Sequence, residues 1–298
     1  MNEIRIISPS GVIEPLYIDE ASERLRRWGY EVSTGQYAYQ KVGRFAGTDE
    51  ERFADLEAAL EDDNIDAILC SRGGYGLQRL ALRLSSLRAT KPVIGFSDIT
   101  VLHQWSALQG QPSLHGLMCK HLATLSEDSE PVQNWRQALR EEPLEYTIPA
   151  YPLNRTGQAL SILIGGNLSV LYGLQGTPLS LTAVINMMQQ RGLPPILFIE
   201  DIAERHYHIE RMLLNLKMSG VLASLAGVIV GQFSDCEDDA SMGETIYETI
   251  ARILAPYPYP VLMNFPAGHV DRNLPLWFGT PLTLTVTDQQ ASIRYVRY

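Results

Sequence analysis

Pro92-Val93-Ile94-Gly95-Phe96-Ser97-Asp98-Ile99-Thr100 is the stretch that decides how this chain is read. An apolar run leads into a glycine and then into residues 99–109, whose apolar spacing predicts an amphipathic helix. Ser97 therefore falls on a sharp strand-to-helix turn. A hydroxyl there projects from the C-terminal edge of a sheet, toward a helix N-terminus whose N–H groups can stabilise an oxyanion. Open α/β sheets carry their nucleophiles and ligands at that edge. Serine is also a favoured N-cap residue, so the same Ser-Asp pair fits a plain helix cap. The rest of the chain has to choose between the two.

Outward from this turn, the N-terminal half alternates strand and helix signals. Ile4-Arg5-Ile6-Ile7 is short and apolar and runs into the turn Ser8-Pro9-Ser10-Gly11. Residues 18–28 fit a helix. Thr48-Asp49-Glu50-Glu51 has capping-box spacing, with Phe53, Leu56 and Leu60 following at helical period. Ile65-Asp66-Ala67-Ile68-Leu69-Cys70 reads as a buried strand, Arg72-Gly73-Gly74-Tyr75-Gly76 as a glycine-rich turn, and a further helix is expected from Leu77. Residues 92–96 form the next strand. Repeated β-α units imply an α/β fold, with a parallel-sheet domain over residues 1–125.

Between residues 127 and 155 the pattern weakens, and Pro131, Pro143, Pro149 and Pro152 mark residues 126–157 as a linker. Residues 158–298 differ in character and predict a second domain of mixed strands and helices. Residues 159–164 are strand-like and Gly165-Gly166-Asn167 starts a helix. Ile196-Leu197-Phe198-Ile199 is a strand ending in Glu200-Asp201. Residues 208–218 fit a helix, 226–233 a strand, 244–254 a helix, and 282–286 with 292–296 a terminal β pair.

Composition narrows the partners. The 298 residues carry a formal net charge of −10, with no basic run, which disfavours nucleic acid and an anionic membrane surface. No apolar stretch reaches the roughly 18 residues a spanning helix needs. Met1-Asn2-Glu3-Ile4-Arg5 lacks the basic start and long apolar core of a signal peptide, so a cytoplasmic location is expected. Cys70, Cys119 and Cys236 are odd in number and widely spaced, as suits free thiols in a reducing compartment.

A serine nucleophile needs a base, and the base an orienting acceptor. Among six histidines, His103 lies inside the helix that follows Ser97 and reads as packing or surface. His115 and His121 flank an apolar segment. His206-Tyr207-His208 has no accompanying ligand set of recognised spacing, so no metal or other cofactor is expected. His269 sits in Phe265-Pro266-Ala267-Gly268-His269-Val270-Asp271-Arg272, a loop after the apolar Val261-Leu262-Met263, where a catalytic histidine is well placed. Glu200 and Asp201 end a buried strand. Either can accept an imidazole N–H, and either can instead pair with Arg205 or Arg211. The Arg72–Gly76 turn offers backbone N–H groups that no side chain blocks, enough to hold an anion or form half an oxyanion hole. It matches neither a P-loop nor a dinucleotide fingerprint.

Taken in order, these segments resemble the LD-carboxypeptidase family, the muramoyltetrapeptide carboxypeptidases. The resemblance rests on Ile7-Ser8-Pro9-Ser10-Gly11, Arg44-Phe45-Ala46-Gly47-Thr48, Arg72-Gly73-Gly74-Tyr75-Gly76 and Gly95-Phe96-Ser97-Asp98-Ile99-Thr100. Gly165-Gly166-Asn167-Leu168, Glu200-Asp201 with Ile209-Glu210-Arg211-Met212-Leu213-Leu214, and Gly268-His269 extend it over nearly the whole chain. It implies a Ser-Glu-His triad of Ser97, Glu200 and His269. The oxyanion hole it implies is the backbone N–H of Asp98 with one from Gly73 or Gly74. It also implies a β-rich α+β domain over residues 158–298, an active site in the cleft between the two domains, a homodimer, and a murein tetrapeptide substrate that loses its terminal D-alanine. Arg72 is the candidate cation for the substrate carboxylate. Ile99 stands where Gly-x-Ser-x-Gly has its second glycine, which argues against the α/β-hydrolase superfamily. Two alternatives stay open: a microcin-immunity-type peptidase cutting acyl-aminoacyl nucleotides, and a non-catalytic small-ligand-binding module.

Overall fold

The computed structural model describes residues 1–296. In chain order the N-terminal half holds strands β1 (Glu3–Ile7), β2 (Glu31–Thr34), β3 (Ala67–Cys70), β4 (Val93–Gly95) and β5 (Ser113–His115). Its helices are α1 (Pro15–Arg27), α2 (Asp49–Glu61), α3 (Thr100–Leu108), α4 (Cys119–Thr124) and α5 (Glu130–Leu139). Then follow β6 (Glu145–Pro149), β7 (Gly157–Asn167), α6 (Leu168–Gly173), α7 (Leu181–Gln190), β8 (Ile196–Ile202), α8 (His206–Met218), β9 (Gly227–Ser234) and α9 (Ile246–Leu254). The chain ends with β10 (Val261–Leu262), β11 (Leu276–Phe278), β12 (Pro281–Val286) and β13 (Gln290–Tyr295).

The chain divides into two compact units. The first is Met1–Glu142 with Asp271–Phe278, and the second is Pro143–Val270 with the chain from Gly279 onward. In the first unit the sheet order is β11-β5-β4-β3-β1-β2. Every pair is parallel except β11 on β5, where Leu276 faces His115 and Phe278 faces Ser113. The inner parallel strands β3, β4 and β5 are wholly buried, as an α/β sheet demands, while the edge strand β2 is half-buried to exposed. Helix α1 starts on a proline, where the missing N–H is no loss, and buries Ile18, Ala21, Ser22 and Leu25 along one face. Helix α2 carries the expected capping box, with Thr48 and Glu51 satisfying each other's backbone N–H groups.

The second unit has a seven-stranded sheet, β10-β9-β8-β7-β12-β13-β6. Strand β7 is its pivot. Residues 157–162 run antiparallel to β12, whereas residues 163–167 run parallel to β8. One end of the sheet is thus an antiparallel array and the other a parallel array with α6 against it, the mixed architecture expected for the C-terminal half.

Three expectations need correction. Residues 126–157 are no linker: α5 and β6 occupy them, and Val132, Trp135 and Leu139 are buried. Pro131 lies in the first turn of α5, where proline begins a helix rather than breaking one. The helix expected from Leu77 is two short 3₁₀ turns, Leu77–Leu80 and Arg83–Ser86. Leu77, Leu80 and Leu84 are buried, and the Leu77 N–H is already taken by the Asp98 carboxylate. Of Gly165-Gly166-Asn167, expected to start a helix, only Asn167 does so, as the N-cap of α6; all three complete β7, pairing with Phe198, Ile199 and Glu200, and α6 runs from Leu168.

Candidate active site

In the first unit, β4 delivers the chain into a 3₁₀ turn over Ser97–Ile99, and α3 follows at Thr100. Ser97 has φ +67°, a left-handed conformation that a non-glycine residue adopts only under constraint. An N-cap serine would have an extended backbone and accept a backbone N–H. Here the N-cap positions of the 3₁₀ turn and of α3 fall on Phe96 and Ile99, and neither makes a side-chain cap bond. The capping account of Ser97 therefore fails on geometry. The residue is half-buried at a strained turn directly after a parallel strand.

The glycine-rich turn lies against this serine. A Cβ placed on Gly73 would stand 2.7 Å from Ser97 Cβ, 2.9 Å from the Phe96 carbonyl oxygen and 3.1 Å from Ser97 Oγ. Only glycine lets the two backbones approach this closely. The turn is tied down by the Gly11 N–H, which donates to the Gly73 carbonyl at 3.0 Å. Arg72 is exposed and donates through Nη1 to the Val12 carbonyl at 2.6 Å, bracing the same neighbourhood. Asp98 is 3% exposed, and burial pushes its carboxyl above the ordinary range against the pull of its hydrogen-bond donors.

The other candidates lie in the second unit. Glu200 sits near the C-terminal end of β8 at a break in register: Ile199 faces Val230, but Asp201 faces Phe233. Gly231 and Gln232 of β9 therefore oppose the single residue Glu200, the signature of a bulge that re-aims a side chain. The bulge also holds the histidine loop. The Phe265 N–H donates to the Val230 carbonyl and the Gln232 N–H to the Ala267 carbonyl, both at 2.9 Å, while the Gln232 amide nitrogen reaches Asn264 Oδ1 at 2.8 Å. Gly268, at φ +126°, then brings the backbone onto the carboxylate; a Cβ there would stand 2.9 Å from Glu200 Oε2.

His269 follows at once, and its Nδ1 lies 2.8 Å from Glu200 Oε2. The Glu200 side chain is fully buried and that of His269 is 16% exposed. With the carboxylate ionised, Nδ1–H is the donor and Nε2 is left as the basic nitrogen. Burial by itself lowers the His269 pKa. The hydrogen bond and charge of Glu200, with Asp201 and Asp235 behind them, outweigh it and hold the pKa above 6.5. Glu200 Oε1 is buried and has no hydrogen-bond partner among the described residues.

Asp201 belongs to the scaffold. Its carboxylate accepts from Asn167 Nδ2 at 2.9 Å, the Ser169 N–H at 2.8 Å, Ser169 Oγ at 3.2 Å and the Ile202 N–H at 2.9 Å. Asn167 meanwhile caps α6 through the Val170 N–H. Burial and then the Glu200 charge push Asp201 up to about 7. Neither carboxylate is paired with Arg205 or Arg211, the fate that charge counting favoured; their partners come from β7, α6 and the His269 loop.

Three other histidines are held inside their own units by hydrogen bonds. His103 is buried between Ser113 Oγ and the Gly95 carbonyl, and burial lowers its pKa to about 4. His115 reaches Asn273 Oδ1 at 3.3 Å, and His206 bridges Thr249 Oγ1 and the Asp239 N–H. Among the described residues no group of three or more His, Cys, Asp or Glu is placed to hold a metal ion, and all three cysteines are free thiols. No helix among them is long and apolar enough to cross a membrane. Sequence reasoning missed the side chains of Ser10 and Asp98 as partners. They stand in quoted motifs, but nothing local joins residues so far apart in the chain.

Comparisons with known proteins come from both halves of the chain. Residues 4–116 match the family model for the LD-carboxypeptidase N-terminal domain, and residues 161–284 that for the LD-carboxypeptidase C-terminal domain. A probable murein peptide carboxypeptidase of Bacillus subtilis (strain 168) is 33% identical over 97% of this chain and 91% of its own length. The crystal structure of a muramoyltetrapeptide carboxypeptidase from Oxalobacter formigenes superposes with a TM-score of 0.83 at 25% identity, covering 100% of this chain and 99% of that one. An MccF-like protein from Bacillus anthracis str. Ames reaches the same TM-score at 22% identity over 100% and 97% of the two chains, a likeness of fold alone.

Proposed function

This chain belongs to the LD-carboxypeptidase family, and from that premise we propose that it is a serine carboxypeptidase releasing the terminal D-alanine of murein tetrapeptides. The bond cleaved is the amide joining an L-centre to the terminal D-residue. The observation that carries the reading is Ser97 at φ +67°, strained after β4 where a helix cap would be relaxed and extended.

In the proposed mechanism Ser97 Oγ attacks the scissile carbonyl and gives its proton to His269 Nε2. Glu200, already bonded to Nδ1, orients the ring and stabilises the imidazolium. The oxyanion is held by the backbone N–H of Asp98 and one from Gly73 or Gly74. His269 then hands the proton to the leaving amine of D-alanine. Water attacks the acyl-enzyme through the same base and frees Ser97. Arg72, with one Nη already committed to Val12, is the cation we assign to the substrate's terminal carboxylate.

Mass spectrometry of muropeptides incubated with pure protein tests this. The expected result is loss of one alanine from tetrapeptide and none from pentapeptide. Ser97→Ala should lower turnover by about 10³ or more with the fold intact, by analogy with other triad knockouts. Near-normal hydrolysis by that variant would remove Ser97 from the mechanism.

A further inference from the structure

The buried carboxylate of Asp98 is oddly placed for a residue whose backbone N–H is an oxyanion donor. Its Oδ2 accepts the Ser10 hydroxyl and, at 2.9 Å, the Leu77 N–H. The Gly76 N–H donates to the same carboxylate. Ser10 is fully buried, and its neighbour Gly11 holds the other end of the glycine turn through the Gly73 carbonyl. The turn over residues 73–77 is thus pinned at both ends. Gly11 fixes Gly73, whose Cα lies against Ser97, and Asp98 fixes Gly76 and Leu77.

We infer that Asp98 is the positioning residue of the oxyanion hole: its backbone supplies one donor, and its carboxylate, with Ser10, sets the place of the other. This inference rests on the serine-carboxypeptidase reading above. One residue then couples the two halves of the hole, so that Gly73 and Gly74 cannot drift relative to the nucleophile turn. Transition-state stabilisation depends on donors aimed at the developing charge and is far more sensitive to a misplacement of about 1 Å than substrate binding is. The clamp should therefore govern kcat and leave KM nearly alone.

The test compares wild type with Ser10→Ala and Asp98→Asn. Three quantities are measured: kcat and KM for D-alanine release from murein tetrapeptide, the rate of Ser97 labelling by a fluorophosphonate, and Tm. Labelling displaces fluoride at phosphorus and builds charge on the phosphoryl oxygen, so it uses the same hole without needing the peptide. Asp98→Asn keeps the shape but turns an acceptor into an NH₂ facing N–H donors. It is expected to lower kcat and the labelling rate about 10²-fold, the effect of losing one oxyanion donor. Ser10→Ala, which removes one bond and leaves the carboxylate, should lower both about 10-fold, with KM within about twofold of wild type. If Asp98→Asn does not fold, Ser10→Ala decides alone. Rates for both folded variants within about threefold of wild type, whatever their Tm, would reduce the clamp to a structural brace and overturn the inference. A wild type that labels at Ser97 yet spares the tetrapeptide would sink the substrate assignment instead, and the labelling ratios then decide on the clamp by the same limits.

Discussion

Gly73→Ala is the sharpest perturbation the structure offers, because it puts a methyl group in place of a hydrogen at a point where nothing can turn aside. The new Cβ would meet Ser97 Cβ at 2.7 Å and the Phe96 carbonyl oxygen at 2.9 Å. Carbon atoms prefer about 3.5–4.0 Å, so relief requires the glycine turn and the nucleophile turn to part by about 1 Å. Neither obstacle has a rotamer to change, since one is main chain and the other a Cβ. Overpacking of this kind costs about 1–3 kcal/mol of stability. For a chain this size that lowers Tm by about 2–12 °C, at roughly 2–4 °C per kcal/mol. The kinetic cost is larger. A misplacement of about 1 Å in a reacting group lowers the rate about 10²-fold, and at 1.36 kcal/mol per tenfold that raises the barrier by about 2.7 kcal/mol. The assay is steady-state release of D-alanine from tetrapeptide, with Tm from calorimetry on the same samples. A variant that keeps kcat/KM within about threefold of wild type would show that Ser97 does not need its present contact with the turn, and the nucleophile-turn argument would fall with it.

Further expectations follow from the histidine loop, a helix cap and a surface ion pair. The His269 pKa is raised chiefly by Glu200, then by Asp201, then by Asp235. Its midpoint, read from the imidazole signals by NMR, should therefore fall most in Glu200→Gln, less in Asp201→Asn and least in Asp235→Asn; any other order refutes the assignment of causes. Because the base must be neutral, kcat/KM of the wild type should rise with pH through a value above 6.5, and that limb should shift to lower pH in Glu200→Gln while the plateau drops. The same raised pKa makes the His269–Glu200 bond contribute fully to stability below about pH 6.5, and the contribution is lost as pH rises through the folded-state value; Glu200→Gln should flatten that dependence in a Tm series. Thr245→Ala removes the capping box of α9 and should cost about 1 kcal/mol, seen as a lower Tm, with D-alanine release unchanged. Arg272→Gln breaks an ion pair with Glu130 whose partners are both about half exposed, so its effect on stability should stay below about 1 kcal/mol.

Features carried by neighbouring residues were legible before any coordinates. The capping box at Thr48 and Glu51, the apolar period of α2 and the buried run that becomes β3 all depend on contacts a few residues long. Where local signals misled, a distant contact had overridden them. Pro131 looked like a linker residue until Trp135 proved to be buried, which makes the segment a helix with a proline start. Leu77 looked like the start of a helix, but its N–H serves a carboxylate 21 residues away. Gly165 and Gly166 looked like part of a helix start, and pairing with β8 keeps them in β7, with only Asn167 capping α6.

The site divides along the same line. By itself the sequence determined the periodicities, the local turn chemistry and, through motifs met in order, the family and the identity of Ser97, Glu200 and His269 as candidates. It left Ser97 poised between cap and nucleophile, because both roles ask for the same residue before the same helix. Only the tertiary structure shows Ser97 outside both N-cap positions, at a φ of +67° and with Gly73 of another segment packed against it. It alone revealed that a bulge aims Glu200 at His269, 69 residues on, and that Asp98 holds Ser10, 88 residues back. Such bonds join segments that no local propensity relates. Their geometry exists only once the sheets have set the register of every strand that carries them.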